Sequence, residues 1–203
     1  FAANTFADVD SGDTLTYTAG TLPSWLTFNA ATRTFSGTPA NGDVGTVSIT
    51  ITATDGSGAT ANDTFDIVIG NTNDAPTVAN PIANQAATED AAFNFQFAVN
   101  TFADVDAGDT LTYSTSALPS WLTFDAATRT FSGTPANGDV GTVNITVTAT
   151  DGSSASVSDT FDIVVGNTND APTLSNPIAD QAVTEDAAFN FQFAVNTFAD
   201  VDA

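Results

Sequence analysis

Asp104-Val105-Asp106-Ala107-Gly108-Asp109-Thr110-Leu111-Thr112-Tyr113 sets three carboxylates on a short glycine-containing turn that runs into an alternating strand. It reads as a loop for a calcium ion, which takes about 6–8 hard oxygen ligands best supplied by carboxylates and carbonyls on turns. The same stretch stands 96 residues earlier as Asp8-Val9-Asp10-Ser11-Gly12-Asp13-Thr14-Leu15-Thr16-Tyr17, and it begins again 96 residues later at Asp200-Val201-Asp202-Ala203. Trp25 and Trp121 keep the same period. A fixed period without insertion marks one module repeated in tandem. Three segments follow: 1–73, a repeat lacking its first strands; 74–169, a complete repeat; and 170–203, the first strands of a third. An opening in mid-repeat at Phe1, the equivalent of Phe97, is expected of a window cut from a longer array.

Composition narrows what the module can be. There are 24 Asp and Glu against 2 Lys and Arg, a formal net charge of −22, and no His, Cys or Met. Nucleic acid and anionic membrane are repelled by such a surface. Only Glu89 and Glu185 among the acids are glutamates, so the negative charge belongs to turns and loops, where Asp is favoured, rather than to helical faces. Without cysteine there is no disulfide framework, and without lysine no lysine-to-asparagine isopeptide link; metal is the staple that remains. No run approaches the roughly 20 apolar residues that a membrane helix needs, and no signal peptide opens the chain.

Read in order, the complete repeat is a string of short strands. Ala75-Pro76-Thr77-Val78 and Asn80-Pro81-Ile82 form an extended, proline-marked opening. Phe93-Asn94-Phe95-Gln96-Phe97 alternates strictly, the pattern of a half-buried strand. Leu118-Pro119-Ser120-Trp121-Leu122-Thr123-Phe124 turns through proline into another strand, and Arg129-Thr130-Phe131-Ser132-Gly133-Thr134-Pro135 follows after the turn Asp125-Ala126-Ala127-Thr128. Val143, Ile145, Val147 and Ala149 point one way, and Phe161, Ile163 and Val165 form one face of the last strand. About seven short strands per 100 residues, with turn signals every 8–12 and no helical period, predict an all-β fold of tandem immunoglobulin-like sandwiches. Trp121, Phe131, Phe93, Phe95 and Phe97 are expected in the core. Asp63, Asp66, Asp159, Asp162 and Asp180 are expected on a solvated outer face that keeps edge strands from pairing wrongly.

These phrases resemble a known family. Asn73-Asp74-Ala75-Pro76 resembles the linker of cadherin repeats, Asp104-Val105-Asp106 their paired-aspartate motif, and Thr148-Ala149-Thr150-Asp151-Gly152 their late aspartate. Leu118–Phe124 with Phe131–Pro135 is similar to the dystroglycan-type cadherin-like and immunoglobulin-like domains of large bacterial surface adhesins. The resemblance implies Ca2+ at the junctions between tandem domains of an extracellular or cell-surface protein. Carried over, it implies a junction walled by Asn73, Asp74, Asp104, Asp106 and Asp151, with Asp109 standing where the family often has asparagine. The matching positions are Asp8, Asp10, Asp13 and Asp55 in the first repeat, and Asn169, Asp170, Asp200 and Asp202 at the next junction. From the lower pole of the preceding module it implies a glutamate, matching Glu89 and Glu185, and an acidic turn matched loosely by Asp43 and Asp139.

An enzyme would find no histidine, cysteine or lysine for base or nucleophile, and carboxylates packed on calcium cannot flank a glycosidic bond. A carbohydrate-binding module would show exposed aromatics in a row, whereas nearly all of these are in phase with the core. The residues favour a calcium-rigidified spacer of a long stalk, adhesin or filament, whose partners are the neighbouring repeats, with a carbohydrate or other surface ligand as the alternative. Head-to-tail copies are a further expected partner. One chain's tail carries the strands that another chain's first repeat lacks, although Phe193–Ala203 would then compete with Phe1–Ser11 for one place.

Overall fold

β-Branched and aromatic residues at every second position build the longest strands, because alternate side chains of a pleated strand face opposite ways. The computed structural model describes residues 1–10 and 12–202; Ser11 in the first acidic loop and Ala203 in the third repeat lie outside the described residues. The chain divides into two units, Phe1–Asp74 and Ala75–Ala203. The first holds β1 (Thr16–Ala19), β2 (Leu26–Asn29), β3 (Thr34–Gly37), β4 (Gly45–Thr54) and β5 (Thr60–Ile69). Here β4 pairs antiparallel with β1 and β5, and β2 pairs with β3.

The second unit opens with β6 (Thr77–Val78), β7 (Gln85–Thr88), β8 (Phe93–Gln96) and β9 (Phe102–Ala103). Next come β10 (Thr112–Thr115), β11 (Leu122–Asp125), β12 (Thr130–Gly133), β13 (Gly141–Thr150) and β14 (Ser156–Gly166), then β15 (Thr173–Leu174) and β16 (Phe198–Ala199). One sheet runs β10-β13-β14-β7 and a second runs β11-β12-β8, with short β6-β9 and β15-β16 ribbons besides. All pairings are antiparallel except β14 with β7. Among the described residues the only helical pieces are the 3-10 turns Asn41–Asp43 and Asn137–Asp139.

The two larger sheets face each other across aromatic rings. Phe131 on β12 meets Phe161 on β14 edge-on at 5.7 Å between ring centroids, and Phe95 on β8 meets the same Phe161 at 5.8 Å. Ile145, Val147, Ala149, Ile163 and Val165 complete the fully buried layer. Burying each large side chain contributes about 1.5–3 kcal/mol. Trp121, partly buried, packs against that cluster and meets Phe93 edge-on.

Two features differ from what the residues alone predict. Gln85–Thr88 is a strand, although it carries no bulky alternation, because it is held parallel to β14 as the edge of that sheet. Asp159 and Asp162 are structural acceptors rather than a merely solvated face. Asp159 Oδ2 accepts the Ile82 backbone N–H at 2.6 Å, and Asp162 Oδ1 accepts the Asn144 amide at 2.8 Å. They tie the opening segment and β13 to β14.

Burial differs sharply between equivalent positions. Phe131, Phe161, Ile163 and Val165 are buried, but their equivalents Phe35, Phe65, Ile67 and Ile69 in the first unit are only half-buried. Likewise Ile82, Phe93 and Phe97 are buried, whereas their equivalents Ile178, Phe189 and Phe193 are exposed.

β11 presses so closely on β12 that a Cβ built on Gly133 would lie 1.8 Å from the Trp121 carbonyl oxygen, and the same holds for Gly37 against Trp25. Backbone cannot retreat as a flexible side chain would. Gly133→Ala should therefore destabilise the second unit by about 2–4 kcal/mol in urea unfolding, and Gly138→Ala, with open space around it, by no more than about 0.5 kcal/mol.

Candidate metal centre

Three acidic groups form, each with carboxylate oxygens lying within 4.8 Å of one another. Asp8, Asp10 and Asp13 make the first, Asp104, Asp106 and Asp109 the second, and Glu89, Asp170 and Asp202 the third. Pairs of ionised carboxylates at that separation repel by roughly 1 kcal/mol in water and roughly 4 kcal/mol at an effective dielectric near 20. A cation with oxygens at about 2.3–2.6 Å would place ligands on opposite sides about that far apart.

The first two groups are local. In each loop the first aspartate turns back on the chain: the Asp10 N–H donates to Asp8 Oδ1 at 2.8 Å and the Asp106 N–H donates to Asp104 Oδ1 at 2.9 Å. Asp106 is buried and Asp109 is exposed. Desolvation first, then the charges of Asp104, Asp106 and Asp151, hold the Asp109 carboxyl above the ordinary carboxylate range. Asp151 is itself buried, and its Oδ1 accepts the N–H groups of Ser153 and Ala155. Asp55 does the same for Ser57 and Ala59 in the first unit.

The third group is assembled from distant segments. Glu89 follows β7 and is 2% exposed, Asp170 precedes β15, and Asp202 follows β16. Glu89 Oε1 accepts the Thr168 N–H, and Asp202 Oδ2 accepts the Asp170 N–H. Glu89 Oε2 is buried with no hydrogen-bond partner, and so is Asp104 Oδ2 in the second group. A buried ionised oxygen costs far more than a surface one unless a donor or cation meets it. The donor set is all oxygen, hard and anionic, which fits calcium.

Several residues expected at such sites stand outside these groups. Asn73 and Asn169 each donate to the following Asp carbonyl, Asp74 and Asp170, at 2.9 Å. Asp200 Oδ1 accepts the Asp202 N–H at 3.0 Å, and Glu185 is exposed. Asp43 and Asp139 stand outside these groups as well and cap their own 3-10 turns, their Oδ2 accepting the N–H of Ala40 and Ala136. Their neighbours do reach the acids: Asn41 Nδ2 donates to Asp74 Oδ2 at 2.7 Å, and Asn137 Nδ2 to Asp202 Oδ1 at 3.2 Å. The Asn-Gly-Asp spelling of both turns was the available signal, with the contact falling on its first residue.

With sandwich and acidic poles described, the comparisons with known proteins are decisive for family. Residues 1–70 and 75–166 match the family described as "Putative Ig domain". The chain belongs to this Ig-domain family. Its Ig-type repeats are 34% identical over 148 residues to the serine-rich adhesin for platelets of Staphylococcus aureus strain MRSA252, covering 73% of this chain and 10% of that protein. The protein of the same name from strain MSSA476 matches at 34%, covering 6% of its length. The chain thus spans a tenth or less of these relatives. Among solved structures, the protocadherin gamma B4 extracellular domain matches with a TM-score of 0.59 at 20% identity, over 82% of this chain and 30% of that one. Mouse cadherin-23 EC22-24 matches at 0.55 and 18%, over 76% and 53%. Both likenesses concern the fold alone.

A carboxyl whose pKa is raised by folding binds its proton more tightly in the folded chain, so its ionisation opposes folding above that pKa and not below it. Asp109→Asn should therefore stabilise the chelated protein near neutral pH, and the gain should vanish in acid where Asp109 is protonated. Thermal unfolding at the two pH values checks this; an equal gain at both would contradict it.

Proposed function

We propose that this chain is a calcium-stiffened, non-enzymatic spacer from the extracellular part of a bacterial surface adhesin. The observation that carries the reading is Glu89, a buried carboxylate with an unpartnered oxygen beside Asp170 and Asp202. A cation meeting all three would fasten the segment after β14 to the sandwich and to the next acidic loop. Without it their mutual repulsion would push the same segment away. The adhesin reading takes its support from the staphylococcal relatives and the family. Copying one module fits a demand for length, since a specific site is needed once whereas reach is made by repetition.

Small-angle scattering on the whole chain tests the calcium reading. Removing calcium with a chelator should change the maximum dimension while far-UV circular dichroism stays that of folded sandwiches, and Glu89→Ala should show part of that change with calcium present. An unchanged dimension in chelator would contradict the reading.

A second reading, strand complementation between copies, is favoured by the exposure of Ile178, Phe189, Phe191 and Phe193 together with the half-buried Phe35, Phe65 and Ile67. In the register of the second unit, Phe189–Gln192 of one copy would add beside β3 of another, as β8 adds beside β12. Sedimentation should then show oligomers growing with concentration; a monomer at all concentrations would remove this reading.

A further inference from the structure

The chain's two cationic side chains, Arg33 and Arg129, occupy the same place in each repeat, in the hairpins β2-β3 and β11-β12. Both adopt the left-handed backbone conformation, with φ of 57° and 58°. That conformation costs a residue with a Cβ roughly 1–2 kcal/mol, and glycine there would avoid the cost. Each Nε–H is also buried with no hydrogen-bond partner. Leaving such a donor unmet costs about 1–3 kcal/mol. Although the chain carries 24 acids, neither guanidinium makes an ion pair or side-chain hydrogen bond among the described residues.

Backbone strain and an unmet charged donor thus fall on one residue, twice; the carbonyls of Arg129 and Arg33 accept from Phe97 and Phe1 within the fold, but nothing there meets either Nε–H. Each arginine lines a shallow depression. Around Arg129 it is about 460 Å³ in volume and is shared with Leu111, Tyr113, Ala126 and Ala127. Around Arg33 it is about 300 Å³, shared with Leu15, Tyr17, Ala30 and Ala31. Volumes of a few hundred Å³ suit a small ligand or one sugar residue.

We propose that these depressions bind a carboxylate carried on a sugar ring, a hexuronate unit of an acidic saccharide, one per repeat. The guanidinium is a planar fork that matches both carboxylate oxygens. The tyrosine beside it, whose ring also packs on Phe97 and Phe102 in the second unit, lines the depression as an apolar wall for the sugar. A singly charged carboxylate is favoured over phosphate because Thr110, which lines the depression, directly follows Asp109 and its acidic group. Tandem copies would raise avidity for a polymer carrying many such units. The site goes beyond the spacer reading and stands without calcium, although calcium on Asp104, Asp106 and Asp109 would strengthen it by removing local negative charge.

Heteronuclear NMR tests the proposal on the whole chain, since two arginines give two side-chain Nε–H signals. D-glucuronate titrated to about 20 mM in 0.15 M salt should shift both signals saturably, with a dissociation constant of order 1 mM. D-glucose should shift neither, and acetate should act more weakly. Arg129→Lys should weaken binding at that site about tenfold or more, read from the backbone amides of Ala126 and Ala127, while leaving the Arg33 signal unchanged, because it keeps the charge and loses the fork. Arg129→Gly should abolish binding there without lowering the melting temperature. Absence of any glucuronate shift, with or without calcium, would overturn the proposal. So would shifts that follow protein concentration alone, which would assign the guanidinium to carboxylates of a second copy. A glucuronate response that is indifferent to calcium would keep the proposal and count only against calcium in the Asp104, Asp106 and Asp109 group.

Discussion

Phe161 is the point at which the second unit becomes a sandwich rather than two sheets. It is buried on β14 and touches Phe131 on β12 and Phe95 on β8, so one ring joins two of the three strands of the opposing sheet to the central hairpin β13-β14. That hairpin alternates inward apolar and outward threonine or aspartate over about ten residues a side, which fixes its register because a one-residue slip would turn the core outward. With the rings committed inward, the acids fall in turns and on the outer face, except Asp159, which shares the phase of Val157 and Phe161 and meets the Ile82 N–H.

The same confinement explains the poles. Short loops between strands gather carboxylates that are far apart in sequence, as Glu89, Asp170 and Asp202 show. Proteins tolerate such convergence when something of opposite charge meets it. This chain has only two cationic side chains for that purpose, and both lie in the hairpins instead. On the function proposed above, an external divalent cation would meet that charge, and a hard, all-oxygen donor set would suit calcium.

How much of this was legible depends on the range of the interaction involved. The strands around Ile145 and Phe161 could be read from alternation, and the Asp104, Asp106 and Asp109 group from spacing alone, because both are local. Gln85–Thr88 could not, since its pairing partner begins at Ile163 and only Ala87 turns into the core. Asp159 reads as a solvated face until its partner, the N–H of Ile82, is seen 77 residues away. Asp43 and Asp139 match the family's acidic turn only loosely, and in the fold one oxygen of each satisfies its own turn. Glu89 stood out as a possible ligand only through the resemblance to cadherin-type repeats, because nothing in its neighbourhood in sequence announces burial.

The central claim is that Glu89, Asp170 and Asp202 share one calcium ion. An anomalous difference map from crystals grown with calcium tests it most directly. A peak about 2.3–2.6 Å from Glu89 Oε2 and from an oxygen of each aspartate is expected. A map without that peak, with a protein donor or water alone meeting Glu89 Oε2, would contradict it.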